Sequence, residues 1–218
     1  MNSKKRIIIV DDHPIFTQGI KLIIDSYEEY EVAGAAENIE AAVELASNKN
    51  PDISIIDLNL GNEDGLDLIK KMKKQFPGMK MLVLSMLKES YYAERSLLAG
   101  AHGYIMKEET SEMLLQALDT ITAGKIWLSK DERNRYIDTL FSDKTKSKDR
   151  KTEPLINQLT DRQILILSHL GKGLSAPQIA EQLKISVKTV EAHKWQLKKK
   201  LGFKTAQELL QYAIRWVK

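Results

Sequence analysis

The chain has 218 residues, 43% of them apolar, and no cysteine, which sets aside disulfides, thiolate zinc sites and cysteine nucleophiles. Its net charge of +3 joins two unlike parts: residues 145–218 hold 15 Lys+Arg against 6 Asp+Glu, a balance of +9, and residues 1–144 hold 18 against 24, a balance of −6. No stretch approaches a membrane span, and the four apolar residues before Asp11 are too few for a signal-peptide core, so the sequence reads as a cytoplasmic protein without a membrane partner.

In chain order, the first part alternates short β-branched runs with period-3.6 stretches. Strands are expected near 6–10, 31–35, 53–57, 80–84 and 103–106, and helices near 14–26, 38–48, 64–75, 89–99 and 111–123. Asn38 and Ser111 read as N-caps, and Gly78, Gly100 and Gly124 lie just past helix ends. Such alternation predicts a doubly wound, five-stranded parallel α/β sheet of flavodoxin-like order 2-1-3-4-5. A further helical stretch, Ser129–Phe141, precedes a segment from Ser142 to Pro154 with almost no apolar residue, which reads as a linker. Beyond it only helix patterns occur, at roughly 161–171, 176–183, 187–201 and 205–217. The expected domains are therefore 4–125, then a helix and polar linker over 126–154, then a small all-α domain over 155–218.

Open parallel α/β sheets bind ligands at the carboxyl ends of their strands. Here Asp11 and Asp12 follow Ile7–Val10, Asp57 follows Ile53–Ile56, Ser85 follows Met81–Leu84, and Lys107 follows Tyr104–Met106. Three carboxylates, a hydroxyl and a lysine describe a site for a hard cation plus a phosphoryl group. A carboxylate is a weak nucleophile toward a phosphoryl group because both are anionic, and a divalent cation, most often Mg²⁺, removes that repulsion. Lys107 can pair with one phosphoryl oxygen and the Ser85 hydroxyl can donate to another.

Val10-Asp11-Asp12-His13, Asp57-Leu58-Asn59-Leu60 with Asp64-Gly65, Ser85, and Gly103-Tyr104-Ile105-Met106-Lys107 resemble the receiver domain of bacterial two-component response regulators. The resemblance implies that Asp57 is phosphorylated by a histidine kinase. It implies that Asp12, Asp57 and the Asn59 backbone carbonyl bind Mg²⁺, with Asp11 assisting. Ser85 and Tyr104 would be the switch pair, the hydroxyl moving to the phosphoryl group and the ring turning inward behind it. Gly61 stands where the family often has Pro.

In the helical part, Ser186 caps the helix near 187–201. At 100° per residue, Val190, Leu197 and Leu201 gather on one side, and Lys188, Glu191, Ala192, Trp195 and Lys199 on the other, as a major-groove recognition helix requires. Two helices joined by a short turn also occur in any small bundle, so this geometry alone leaves both readings open. Leu159-Thr160-Asp161-Arg162-Gln163, Gly173-Leu174-Ser175, Gln178-Ile179-Ala180, Ile185 to His193, and Lys200-Leu201-Gly202 resemble the LuxR-type helix-turn-helix. With the receiver, the whole is similar to the NarL/FixJ subfamily. The implied DNA-facing residues are Lys188, Thr189, Glu191, Ala192, Trp195, Lys199 and Lys200, although the family often has Lys or Arg where Glu191 stands. Trp195 reads either as a base contact or as a protein contact.

The function expected is phosphorylation-controlled, sequence-specific binding to double-stranded DNA, with a homodimer in the phosphorylated form. An aspartyl-phosphate phosphohydrolase is disfavoured, since no Asp-x-Asp loop follows the first strand and no cap is inserted; the chain is not expected to be an enzyme.

Overall fold

The computed structural model describes residues 4–61, 63–141, 159–183 and 185–217, so the polar segment expected to be a linker lies outside the described residues. The chain divides into two compact units, Met1–Leu140 and Phe141–Lys218.

The first unit runs β1 (Lys5–Val10), α1 (Pro14–Asp25), β2 (Tyr30–Ala36), α2 (Ile39–Lys49), β3 (Ile53–Ile56), β4 (Asn59–Leu60), β5 (Glu63–Asp64), α3 (Gly65–Gln75), β6 (Lys80–Ser85), α4 (Glu89–Ala99), β7 (Gly103–Met106), α5 (Ser111–Thr122) and α6 (Lys130–Phe141). Ile7 to Val10 are buried without a break, as are Ile53 to Ile56. Buried runs of that kind, apolar but for Ser54, form strands covered on both faces, and the sheet is parallel in the order β2-β1-β3-β6-β7. Val10 pairs with Ile56, Ile56 with Val83, and Ser85 with Met106. This register brings the carboxyl ends of the central strands level with one another.

Side-chain chemistry fixes the helix starts. The Asn38 side chain accepts the Ala41 N–H and the Asp64 side chain that of Leu66. At α5 the cap is Thr110 rather than Ser111: its extended backbone aims the hydroxyl at the Met113 N–H, and Ser111 becomes the first helical residue. Gly100 and Gly124 end their helices with positive φ, at 121° and 79°.

Two features were not anticipated from the sequence. The loop after Asp57 folds into a short antiparallel ribbon, β4 with β5, turning at Gly61 with φ of 63°. Past α5 the chain returns to the sheet, where Trp127 bridges Gly103 in parallel and covers the outer side of β7.

The second unit contains α7 (Asp161–Gly171), α8 (Ala176–Gln182), α9 (Val187–Lys200) and α10 (Ala206–Val217). Thr160 with Gln163 and Ser175 with Gln178 form capping boxes at α7 and α8. Ile164, Leu167, Ile179, Val190, Leu197, Leu209 and Ala213 are buried. Gly171 lets α7 and α10 touch, since a Cβ there would lie 2.3 Å from the Ala213 carbonyl oxygen.

Candidate functional site

At the carboxyl edge of the sheet, ladder bonds continue one residue beyond the strands. Asp57 N–H donates to Val10 O at 2.8 Å, Asp11 N–H to Ala36 O at 3.0 Å, and Lys107 N–H to Ser85 O at 2.9 Å. The backbone therefore holds the residues that the sequence reading singled out, and their side chains converge. Asp57 is 3% exposed. Its Oδ1 accepts from the Ser85 hydroxyl at 2.7 Å and from the Asn59 N–H at 3.2 Å, and its Oδ2 lies 2.7 Å from Lys107 Nζ. Lys107 Nζ also reaches Asp11 Oδ2, at 2.5 Å, and stands 4.3 Å from the centre of the Phe16 ring.

Burial pushes the Asp57 carboxyl above the ordinary carboxylate range; the Lys107 charge opposes this, and nearby Asp11 adds to it. Asp11 is buried as well, while the Asp12 side chain is 11% exposed. His13 Nδ1 lies 2.9 Å from Asp11 Oδ1 and 2.9 Å from Asp12 Oδ1. Ligand atoms of Asp11, Asp12 and His13 all fall within 4.8 Å of one another. The Asn59 side-chain carbonyl oxygen is buried without a hydrogen-bond partner. Carboxylates clustered beyond the charge of one lysine form a donor set that fits a hard divalent cation, and the Asn59 N–H already binds one of them, Asp57.

Tyr104 is 1% exposed, and its hydroxyl donates to the Leu87 carbonyl at 2.8 Å. Burial raises this phenol well above its ordinary value. The ring is thus packed inward, with Ser85 already on Asp57. Gly65 is required by close approach: a Cβ there would lie 2.4 Å from Asp57 O and 2.6 Å from Leu58 Cα. In the sequence, His13 and Gly65 stand out only as parts of motifs. Phe16 and the Leu87 carbonyl carried no signal, because an aromatic on an amphipathic helix reads as core and a backbone acceptor has no residue identity.

In the second unit, Lys188, Thr189, Glu191, Ala192, Trp195, Lys199 and Lys200 are all exposed, and Val190, Leu197 and Leu201 are buried on the other side of α9. Thr189 donates its N–H to Ser186 Oγ, and the two hydroxyls lie 2.7 Å apart, which ties Thr189 to the cap. Glu191 pairs with Lys194 at 2.7 Å. Trp195 is 59% exposed with Lys199 Nζ 5.3 Å from its ring centre. Lys200 Nζ donates to Gln163 Oε1 at 2.9 Å, a tie the sequence did not reveal.

Comparison with known proteins bears on both units. Residues 7–119 match the response regulator receiver domain, and residues 157–213 match the bacterial regulatory proteins of the luxR family. Oxygen regulatory protein NreC of Staphylococcus aureus is 34% identical over 212 residues, spanning 96% of this chain and 97% of NreC. RcsB of Salmonella typhimurium is 25% identical with a TM-score of 0.65, covering 100% of this chain and 99% of RcsB. An RcsB structure bound to a promoter in the presence of the phosphomimetic BeF3⁻, from Salmonella enterica serovar Typhimurium, is 25% identical with a TM-score of 0.63 over 97% and 98% of the two chains. A LuxR-family two-component response regulator from Aurantimonas sp. SI85-9A1 is 29% identical with a TM-score of 0.60, over 64% of this chain and 100% of that one. Among the described residues, no helix is long and apolar enough to cross a membrane.

Proposed function

Because the chain belongs to the two-component response regulators, a receiver domain followed by a LuxR-type helix-turn-helix, we propose that Asp57 is the residue through which phosphorylation controls its DNA binding. The protein is a transcription regulator rather than an enzyme. A receiver implies a histidine kinase as phosphoryl donor. The observation that carries the acceptor reading is the engagement of both Asp57 oxygens, by Ser85 on one side and by Lys107, shared with Asp11, on the other.

In the transfer, an Asp57 oxygen attacks the phosphorus of a kinase phosphohistidine, the P–N bond breaks, and the imidazole leaves with its electron pair. Asp12, Asp57 and the Asn59 backbone carbonyl would hold Mg²⁺, with Asp11 assisting, and the cation would offset the repulsion between carboxylate and phosphoryl oxygens. Lys107 then moves from the carboxylate onto a phosphoryl oxygen, and the Ser85 hydroxyl onto another. The phosphoryl group adds up to about two negative charges and three acceptors. Tyr104, inward behind Ser85, follows the hydroxyl. The domains read from the sequence, 4–125 and 155–218 with the intervening helix and linker, would then work as sensor and effector.

The effector reading rests on the outward arc of α9. Lys188, Thr189, Glu191, Ala192 and Trp195 would meet base edges or the groove wall, and Lys199 and Lys200 phosphates. The phosphorylated form would bind double-stranded operator DNA as a homodimer, with two-fold symmetry matched to paired half-sites. A structure of RcsB with DNA gives this reading a precedent in a relative.

The test is to incubate the protein with Mg²⁺ and acetyl phosphate, weigh the intact chain, and measure operator affinity at one salt concentration. A gain of about 5- to 150-fold in affinity is expected on phosphorylation. Equal affinity of the two forms would overturn the proposal.

A further inference from the structure

Helix α6 lies outside the acceptor site, yet it is fastened to the first turn of α4, which follows the loop that receives the Tyr104 hydroxyl. That hydroxyl donates to Leu87 O at 2.8 Å. Two residues further on, the Glu89 carboxylate accepts the Ser129 N–H at 2.8 Å. The next carbonyl, Ser90 O, accepts from Arg135 Nη2 at 2.9 Å. Arg135 also lies 3.3 Å from Glu132, a carboxylate only 5% exposed. Burial raises the Glu132 carboxyl, and Arg135 works against the shift.

The stretch before α6 is held by different means. Trp127 N–H donates to His102 O at 3.0 Å, and Trp127 O accepts the Tyr104 N–H at 3.1 Å. These backbone bonds belong to the sheet edge and do not depend on the loop after Ser85. The start of α6 is tied by hydrogen bonds to Glu89 and Ser90, in the first turn of α4. Lys88 occupies the N-cap of α4, and a lysine has no acceptor for the first-turn N–H groups. Tyr92 and Ala93 anchor the inner side of that turn in the core, and on its outer side it meets Leu87 and α6.

We infer that Glu89 and Arg135 are positioning residues that clasp α6 to α4 only while Tyr104 is inward. With Tyr104 on Leu87 O, the first turn of α4 sits where Glu89 and Ser90 meet their partners. With Tyr104 displaced, Leu87 is released, the turn shifts and α6 loosens. This gives the switch a route to the end of the first unit, and it rests on reading Asp57, Ser85 and Tyr104 as acceptor and switch. The α4–α6 contact would be the two-state element that Tyr104 at one end and α6 at the other both bias.

The experiment is backbone amide exchange of the full chain, followed over residues 129–137, with α5 as an internal control for global opening. One arm needs no phosphoryl loading. Tyr104→Phe removes the hydroxyl bond to Leu87 and should speed exchange over 129–137 by about fivefold, the scale of one hydrogen bond, leaving α5 unchanged. The second arm adds Mg²⁺ and beryllofluoride as probe. The probe should slow α6 exchange by about fivefold in the parent, by less than about twofold in Glu89→Ala, and by the full amount in Glu89→Gln, which keeps an acceptor oxygen. Acetyl phosphate uptake, weighed on the same samples, reports the acceptor chemistry separately from the clasp. Unchanged α6 exchange in Tyr104→Phe, or equal protection of α6 in Glu89→Ala and the parent, overturns the proposal.

Discussion

The Lys107 ammonium sits 2.5 Å from Asp11 Oδ2 and 2.7 Å from Asp57 Oδ2, with the three side chains 6%, 4% and 3% exposed. One cation is thus shared by two buried carboxylates and offsets only one of their two charges, and removing it leaves both without a counter-charge. Lys107→Met should cost about 3 kcal/mol of stability. If the same acids hold Mg²⁺, added Mg²⁺ should raise the melting temperature of Lys107→Met more than that of the parent. Thermal melts with and without the cation decide this, and equal increments would place the cation elsewhere.

Asp57→Asn should abolish the gain of roughly 80 Da that one phosphoryl group adds to the intact mass. Asp12→Ala should abolish the Mg²⁺-dependent part of that uptake and leave the far-ultraviolet dichroism unchanged, since Asp12 lies beyond the end of β1. A residual single phosphoryl gain in Asp57→Asn that still drives DNA binding would refute the assignment.

The exposed arc of α9 should divide its labour. Glu191 Oε1 is held by Lys194 at 2.7 Å, and its Oε2 can accept from cytosine N4. Glu191→Ala should relax preference at one base-pair position by about 1–3 kcal/mol, and Lys199→Ala should weaken all sequences alike and lower the salt slope by about one unit. Lys200→Ala should do the same and also lower the melting temperature, because Lys200 donates to Gln163. Selections on randomised half-sites with each variant separate these outcomes.

His102 gives the first unit an acid sensitivity. Its Nδ1 accepts the Met81 N–H at 3.2 Å, so the fold holds the ring neutral. Burial, then the charges of Lys80 and Lys73, lower its pKa from 6.5 to about 4. Between those values the unfolded chain binds a proton that the fold refuses. Stability therefore falls as pH drops from about 6.5 toward 4 and is intact above that window. The ring is only part-buried, so solvent screening holds the loss to about 1 kcal/mol. His102→Gln keeps an acceptor without a titration, and denaturant melts across the window should show a shallower acid slope than the parent.

Asp57, Ser85 and Lys107 could be read from sequence because each ends an apolar run whose alternation with helices dictates a parallel sheet. Strand ends in such a sheet are aligned by register, so three positions far apart in the chain become one site. The ribbon of Asn59-Leu60 with Glu63-Asp64 could not be read, since two-residue strands carry no periodicity. The bond from Lys200 to Gln163 spans 37 residues and follows from how α9 crosses α7, which no local pattern encodes. The cap at Thr110 was missed by one residue because Thr and Ser both suit that role, and only the backbone angle chooses between them.

The outermost strands of an open sheet present unpaired N–H and C=O groups that a second chain could join. Neither flank here offers a clean ladder. On β2 the pairing slips between Ile7 and Ile8, so that Val32 and then Gly34 face β1, the kind of irregularity that bends a strand. On β7 the Trp127 backbone takes up the Tyr104 N–H and the His102 carbonyl. A receiver cut short at its last sheet helix, α5, would lose that cover and uncover the backbone edge of β7 at His102 O and Tyr104 N–H. The short return of chain around Trp127 therefore guards against strand-to-strand aggregation, and isolated receivers of this protein should stay in solution only when it is retained.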